Sequence, residues 1–485
     1  MKVYRPLAVL AVLAVVIRVA LMITYSTAVF VYYNGDALRY ARINPLTGAH
    51  LGLFSDHNAP GGYPVFLRVV REIWSALAFT IGIQHCLGVA TGLLLYAVLR
   101  RMGAPRGFAL APAVLVFFSG DQLFLEHALL TESLWAVLIA GGLYALVRGL
   151  GDGEFDARWL ALGGLLVGAS ATVRTAAGPL VIVVALWAAW AVHGELRRRA
   201  RAAVAVGLPA VALILAYVAF ANITGQTDGY SDLEGFQLYG RVAQFADCKK
   251  FKPPGRTRLL CQTTRPPQRP GPTSQLFASD APLNQKAFNL QLPRDSALLG
   301  RFGQQAILHQ PGAYLSAIFE EYGRIVGLGH GRNGDGANPW EMRFDLPYAY
   351  GNPAGASTPT QIARLYRVDY SGVRAHALGG WAGAWSSYQG LARLHEGLVG
   401  ILLVLAIVGV GLVTGRARAG AALFLAAAVA LYVVPPLIAL WDVRYGVLPG
   451  ELLVVAASIG AWALWERRRS LQLRTRLRDL VRAEE

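Results

Sequence analysis

The sequence predicts an all-α polytopic membrane protein of about ten transmembrane helices, with an irregular, mostly α insert that faces outward. Hydrophobic residues make up 55% of the 485 residues and charged residues only 15%, whereas soluble domains carry roughly 25% charged residues. Several apolar runs approach the roughly 20 residues that cross a bilayer. Short Arg-rich connections alternate with connections that carry few basic residues, which is typical of a chain that crosses a membrane repeatedly.

The first apolar run follows Lys2 and Arg5 and has the outline of a signal peptide. It continues to about Phe30 with no cleavage site of small residues, so it predicts a retained first span. Hydropathy predicts ten spans in all. They are Pro6–Val29, Ile73–Leu99, Phe108–Phe124, Leu129–Val147, Trp159–Thr172, Ala176–Val192, Ala202–Ala221, Gly397–Val413, Ala419–Leu440 and Tyr445–Trp465.

Arginine placement predicts the orientation of these spans. With both termini in the cytoplasm, every Arg-rich short connection lies on the cytoplasmic side, as the positive-inside rule requires. The predicted parts are a membrane module with its first outer loop at 31–71, an extracytoplasmic insert, C-terminal membrane helices and a basic cytoplasmic tail. Their bounds are 1–221, 222–396, 397–466 and 467–485.

The net charge of +16 has two readings, nucleic-acid binding or membrane orientation. The basic residues lie in short loops between apolar runs and form no separate basic module, so membrane lipid is the predicted partner and nucleic acid is excluded. Cys86 lies inside an apolar run and is predicted to be a buried small side chain. Cys248 and Cys261 lie in the insert, and an outward-facing insert predicts a disulfide between them.

A polar stretch, Tyr32–Leu67, separates the first two predicted spans and carries Asp36, Asp56 and His57. Ionisable groups beside lipid are costly unless they are paired, hydrated or functional. Asp36 either acts as a general base or stabilises the start of a short helix. Asp56 and His57 either bind a metal or phosphate or form a polar turn before the next helix.

Three further polar positions fall at the predicted outer ends of spans. The Glu126–Glu132 segment carries Glu132 and is either part of a site or a helix cap with solvated charges. Arg174 lies at an outer turn, where a guanidinium binds a phosphate oxyanion or simply pairs or snorkels. Arg444 stands beside Tyr445 at the start of the last span. Together these residues predict one face that holds an anionic substrate beside a base.

Three polar residues inside predicted spans complete the pattern. Arg18 lies within the first span and requires a partner or a polar cavity, and the sequence names none. Gln84 and His85 in the second span are interpreted as hydrogen-bonding core residues.

Five strings resemble, in order, the GT-C superfamily of membrane glycosyltransferases. The resemblance is to the polyprenyl-phosphate-sugar-dependent branch that includes protein mannosyltransferases and the aminoarabinose transferase of lipid A. It covers residues 1–221 well and 397–465 loosely. The proline string has an extra Gly, and an Asp-Glu pair found in some branches is here Asp36-Ala37, so the sub-branch and the sugar stay open. The strings are Gly35–Ala41, Ala59–Pro64, Leu130–Glu132, Arg174–Gly178 and Arg444–Tyr445 with Pro449.

The resemblance implies an inverting transferase of the bacterial cell envelope. A sugar on a polyprenyl phosphate would pass to an acceptor hydroxyl on a glycan, lipid or protein, at the outer face of the plasma membrane. Asp36 would be the base, and Arg174, Arg444 or His57 would stabilise the departing phosphate. The resemblance names no particular cofactor and leaves a divalent metal open. The other residues expected to bind substrate are Arg39, Tyr40, Asp56, Tyr63, Glu132 and Tyr445.

Two other function classes stay open. A lipid or glycan transporter or flippase is the alternative, although transporters place their sites near the bilayer midplane between repeated halves. A scaffold without chemistry would not need acids and arginines on one face. The sequence leaves the sugar, the acceptor and the oligomeric state undetermined.

Overall fold

The computed structural model describes residues 5–25, 36–43, 51–54, 59–151, 155–224, 233–278, 280–286, 288, 293–329, 342–345, 359–373, 380–438 and 441–484. Within these ranges the regular elements are helices and no β-strand forms, which confirms the predicted all-α class. The first ten α-helices are α1 Arg5–Thr24, α2 Asp36–Ala41, α3 Gly62–Ile73, α4 Leu77–Arg101, α5 Arg106–Phe118, α6 Gly120–His127, α7 Glu132–Gly149, α8 Ala157–Val173, α9 Gly178–Ala191 and α10 Leu196–Ile223.

The second half of the chain holds the insert and the last apolar helices. Short 3-10 turns Thr175–Ala177 and Val443–Gly446 precede α9 and α20. The remaining α-helices are α11 Glu234–Ala243, α12 Pro272–Phe277, α13 Pro282–Gln285, α14 Pro293–His309, α15 Pro311–Ile325, α16 Pro359–Tyr366, α17 Gly380–Leu391, α18 Glu396–Leu412, α19 Gly415–Ile438 and α20 Val447–Glu484.

Six segments of the described chain are long and apolar enough to cross a membrane, and a bent helix pair makes up to seven. The chain is therefore a multi-pass membrane protein, as its composition predicts. The helices between them, such as α8, are apolar but shorter, so the count of ten stays a prediction. The six segments are Arg5–Thr24, Leu77–Arg101, Leu196–Ile223, Gly380–Leu412, Gly415–Ile438 and Val443–Leu473.

The third predicted span, Phe108–Phe124, is not one straight helix. α5 ends at Phe118 and α6 begins at Gly120, with an angle of 49° between them. Ser119 has an extended backbone, and its hydroxyl accepts a hydrogen bond from the Gln122 amide, so it starts α6 as an N-cap. Gly120 packs directly on α17, since a Cβ there would lie 2.4 Å from the Gln389 Cα.

The sequence predicts helices over Asp295–Gly323 and Gln361–Ala377 of the insert, and the structure differs from both. The segment Asp295–Gly323 forms two helices, α14 and α15, because Pro311 disfavours helical geometry at Gln310 and starts a new helix at its own position. The predicted helix Gln361–Ala377 is α16, which begins earlier and ends at Tyr366. Phe236, Tyr239 and Phe302 form part of a separate apolar core beneath α11 and α14.

The disulfide prediction is confirmed: Cys248 is bonded to Cys261. Cys86 is exposed on the surface of α4, so the prediction that its side chain is buried is wrong. The last part of the predicted insert, before Glu396, contains the apolar helix α17, which forms one membrane-length segment with α18. The division of the chain into modules stays a prediction.

Candidate active site

Four charged residues from distant segments come together at the ends of helices. Asp36 is the first residue of α2 and Glu132 the first of α7, positions where a carboxylate stabilises the free amides of a first turn. Arg174 lies between α8 and its following 3-10 turn, and Arg444 lies in the turn before α20. Asp36 therefore fits both readings left open by the sequence, a helix start and a member of a charged cluster.

Arg444 joins Asp36 to the turn before α20. Its Nη2 donates to Asp36 Oδ2 at 3.0 Å, and its Nε lies 3.2 Å from Asp442 Oδ2. Asp442 also accepts from the Arg444 amide at 3.1 Å, which fixes the turn. Arg39, one turn along α2, lies 3.6 Å from the other oxygen of Asp36. The Asp36 side chain is 17% exposed, so a substrate can still reach it.

Arg174 forms the other half of the cluster. Its Nη1 donates to Glu132 Oε1 and, at 3.2 Å, to Thr131 Oγ1. The same Glu132 oxygen lies 3.9 Å from Arg444 Nε, so one carboxylate stands between the two guanidinium groups. Burial lowers the pKa of Arg174, but Glu132 together with Tyr445 and Tyr40 raises it, and the net pKa lies above its ordinary value. Arg174 is therefore a permanent cation.

Aromatic rings hold both arginines. The Arg174 guanidinium lies 4.8 Å from the Tyr445 ring centroid and 5.0 Å from that of Trp135. The Arg444 guanidinium lies 5.2 Å from the same Tyr445 ring. Cation–π contacts fix the planes of the guanidinium groups without neutralising their charge. Two guanidinium groups that are oriented by the same aromatic ring can bind an oxyanion.

Tyr40 and Tyr63 border the cluster on its α2 side. Their rings meet edge to face with centroids 5.4 Å apart. Burial, followed by the negative charge of Asp36, raises the pKa of Tyr40 to about 12. Burial likewise raises the pKa of Tyr63, whose hydroxyl donates to Gln84 Oε1. Both phenols are therefore protonated at neutral pH, and neither acts as a base.

The Pro-Gly-Gly-Tyr-Pro string leads into α3, and each of its two glycines packs closely against another part of the chain. A Cβ on Gly61 would lie 2.4 Å from the Phe54 ring, and a Cβ on Gly62 would lie 2.6 Å from the Thr172 carbonyl oxygen. The Gly61 amide also donates to the Tyr217 hydroxyl at 2.9 Å. Both glycines are therefore required by packing. Asp56 and His57, the other predicted members of this loop, lie outside the described residues.

The structure supplies the partner that the sequence could not name for Arg18. Two of its guanidinium nitrogens donate to Glu126, Nε to Oε2 at 2.8 Å and Nη2 to Oε1 at 2.7 Å. His85 Nδ1 lies 2.7 Å from Glu126 Oε2, and His85 Nε2 lies 3.1 Å from His127 Nδ1. All four side chains are buried. The reading of Glu126 and His127 as solvated charges at a helix cap is wrong.

The segment Glu126–Glu132 is not one continuous helix. α6 ends at His127, and the extended residue Ala128 begins a turn that leads to α7. Gln84 holds this turn by donating to the carbonyl oxygens of Glu126 at 2.9 Å and Ala128 at 2.7 Å. The core role expected for Gln84 and His85 is confirmed. Gln84 thereby links Tyr63 to the turn that positions Glu132.

A metal site is not evident in the described ranges, where no three His, Cys, Asp or Glu side chains are grouped to hold an ion. The cluster offers carboxylates, two fixed guanidinium groups and the Tyr40 phenol, which suit proton transfer beside an anion.

Comparisons with known proteins found no matching family model and no matching curated protein. Two solved structures resemble the fold, both of the Archaeoglobus fulgidus oligosaccharyltransferase. The apo form matches with 15% identity and a TM-score of 0.46, over 99% of this chain and 52% of that one. The form tethered to an acceptor peptide with the NVT sequon matches with 15% identity and a TM-score of 0.43, over 97% and 50%. The chain spans about half the length of these proteins, and likeness at this level carries no argument about activity.

Proposed function

We propose that the chain is an inverting glycosyltransferase of the GT-C type, which moves a sugar from a polyprenyl phosphate to an acceptor hydroxyl. The observation that supports this most directly is the group of Asp36, Glu132, Arg174 and Arg444 at neighbouring helix ends. A carboxylate beside two oriented guanidinium groups suits a reaction in which a hydroxyl loses a proton while a phosphate departs. The acceptor is a glycan, lipid or protein, and the active site lies on the extracytoplasmic side of the plasma membrane.

The proposed step is a single displacement. The acceptor oxygen attacks the anomeric carbon and its proton passes to Asp36. The bond between the anomeric carbon and the phosphate oxygen breaks, and its electron pair leaves with the phosphate. One displacement at that carbon inverts its configuration. A positioned general base typically contributes about 10²–10⁴ in rate.

Arg174 and Arg444 would bind the leaving phosphate. Both are already oriented by carboxylates and by the Tyr445 ring, so little reorganisation is needed when negative charge develops. Glu132 would share Arg174 with the donor phosphate. Tyr40 would donate a hydrogen bond, since its raised pKa keeps it protonated. Tyr63, whose hydroxyl proton is already donated to Gln84, would support the Tyr40 ring.

Arg174 gives the test of donor binding. We expect Arg174→Ala to weaken the binding of a polyprenyl monophosphate by about 10- to 100-fold, the value of one or two hydrogen bonds to a charged group. Arg174→Lys should lose less, because it keeps the charge but not the planar fork. Binding is measured on the purified full chain, with the uncharged polyprenol as the reference ligand.

Arg256→Ala is the matched control, because Arg256 also pairs with a carboxylate, Asp295, and lies 4.2 Å from an aromatic ring centroid, that of Phe288, within the insert. It should bind the phosphate like wild type. Equal binding of polyprenol and polyprenyl phosphate by wild type would overturn the proposed donor. Transport of the intact lipid from one leaflet of a vesicle membrane to the other, without sugar transfer, would instead favour the flippase.

Sidedness has its own test. Thr263 lies in the insert and is exposed, so Thr263→Cys in a Cys86→Ser background provides one accessible thiol beside the Cys248–Cys261 disulfide. An impermeant maleimide should label it from outside intact cells, because the distribution of the Arg-rich loops predicts that the insert lies outside the cytoplasm. A cysteine at exposed Arg197, in a cytoplasmic connection, should label only after lysis. The opposite pattern would reverse the topology.

A further inference from the structure

A cavity distinct from the charged cluster lies beside the Val443–Gly446 turn. Arg444 in this turn pairs with Asp36, while Val443 and Gly446 line the cavity. The empty volume is about 580 Å³, measured out to the open solvent. Its polar lining includes Asp121, Arg393, Tyr432, Trp441 and Glu451, and side chains such as Leu115 and Val399 supply apolar walls.

Glu451 is the unexplained group in this cavity. It lies on the first turns of α20, is 1% exposed, and neither of its carboxylate oxygens accepts a hydrogen bond within the described part of the chain. A buried carboxylate without a partner is strongly unfavourable. An ionisable group placed at such a cost inside a membrane helix marks a functional position by default.

The nearby cations among the described residues are engaged elsewhere. Arg393 lies 3.5 Å from Asp121. Arg18, which acts electrostatically on Glu451, donates to both oxygens of Glu126. Glu396 adds a further carboxylate to the cavity wall. The lining thus has more acidic than basic side chains, which favours a cationic ligand.

Aromatic rings narrow the chemistry of that ligand. Tyr432 and Trp441 lie with ring centroids 5.8 Å apart, and both line the cavity. Aromatic faces beside a carboxylate bind ammonium groups, and they do so best when water is excluded. The aliphatic walls suit a hydrocarbon body. We infer that this cavity binds an ammonium group carried on an apolar body, with Glu451 as its counter-ion. The inference is independent of the proposed sugar transfer.

The test compares two probes of equal length, n-octylammonium and n-octanol, on the full chain in detergent. Wild type should bind octylammonium at least about 10-fold more tightly than octanol, since only the ammonium group can form a charge-assisted hydrogen bond with Glu451. Glu451→Gln should remove this preference. Glu396→Gln makes the same change at an exposed carboxylate on the same wall and should keep it.

Two further measurements make the result decisive. Val447→Phe fills the cavity and leaves Glu451 in place, so it should weaken the binding of both probes. It therefore tests the cavity even if Glu451→Gln fails to fold. In nanodiscs, an ethanolamine-headgroup lipid that displaces octylammonium assigns the site to membrane lipid, whereas failure to compete assigns it to a soluble amine. Equal binding of the two probes, or octylammonium binding that survives Glu451→Gln, would overturn the inference.

Discussion

Replacement of Asp36 by Asn is expected to remove sugar transfer while the chain stays folded and still binds the donor. Asn keeps the shape of the side chain and stabilises a helix start nearly as well as Asp, but it cannot take the acceptor proton. The loss should be about 10²–10⁴ in turnover. Turnover and donor binding are measured side by side on the purified variant.

Asp156→Asn provides the matched control for this prediction. Asp156 also starts a helix, where its side chain accepts from the Arg158 amide at 2.9 Å. The control should retain both stability and turnover. If Asp36→Asn turns over like wild type, Asp36 serves only the start of α2, and the base must be Glu132 or Asp56.

The face that holds the charged residues could be predicted from the sequence, because it follows from the membrane topology. Apolar runs fix where helices begin and end, and the alternation of arginines fixes which ends share a side. Asp36, Arg174 and Arg444 all fall at such ends, and the structure brings them into one cluster. The pairing itself could not be predicted, because it depends on which helices are neighbours.

The cluster around Glu126 shows what hydropathy alone misses. Its position results from the bend at Ser119, which places α6 against α1 and α4. A signal was present in α4, where His85 and Gly88 share a face at the three-residue spacing. A Cβ on Gly88 would lie 1.6 Å from Glu126 Oε1, so the glycine makes room for this carboxylate. Without the α6 neighbour, the glycine has no visible purpose.

The Glu126 cluster, formed by Arg18, His85, Glu126 and His127, also helps to position residues of the candidate site. Gln84 holds the turn after Glu126 and accepts from the Tyr63 hydroxyl, so changes in the buried cluster reach both Tyr63 and Glu132. Stability and activity are therefore coupled through α4. A variant that loses the cluster should lose turnover through misplaced site residues, even though none of the cluster residues lies among the predicted site residues.

Arg18→Met should destabilise the chain by about 3–5 kcal/mol, because it leaves Glu126 as a buried charge without its main partner. The double variant Arg18→Met/Glu126→Gln removes both charges and should recover a large part of that loss. Unfolding is followed in mixed micelles with increasing denaturing detergent. Arg68→Met is the control, since Arg68 pairs with Glu72 at 2.6 Å with both side chains more than half exposed, and such pairs contribute about 0–1 kcal/mol. If Arg18→Met cost no more than Arg68→Met, or if the double variant were as unstable as the single one, the Arg18–Glu126 pair would not hold α1 to α6.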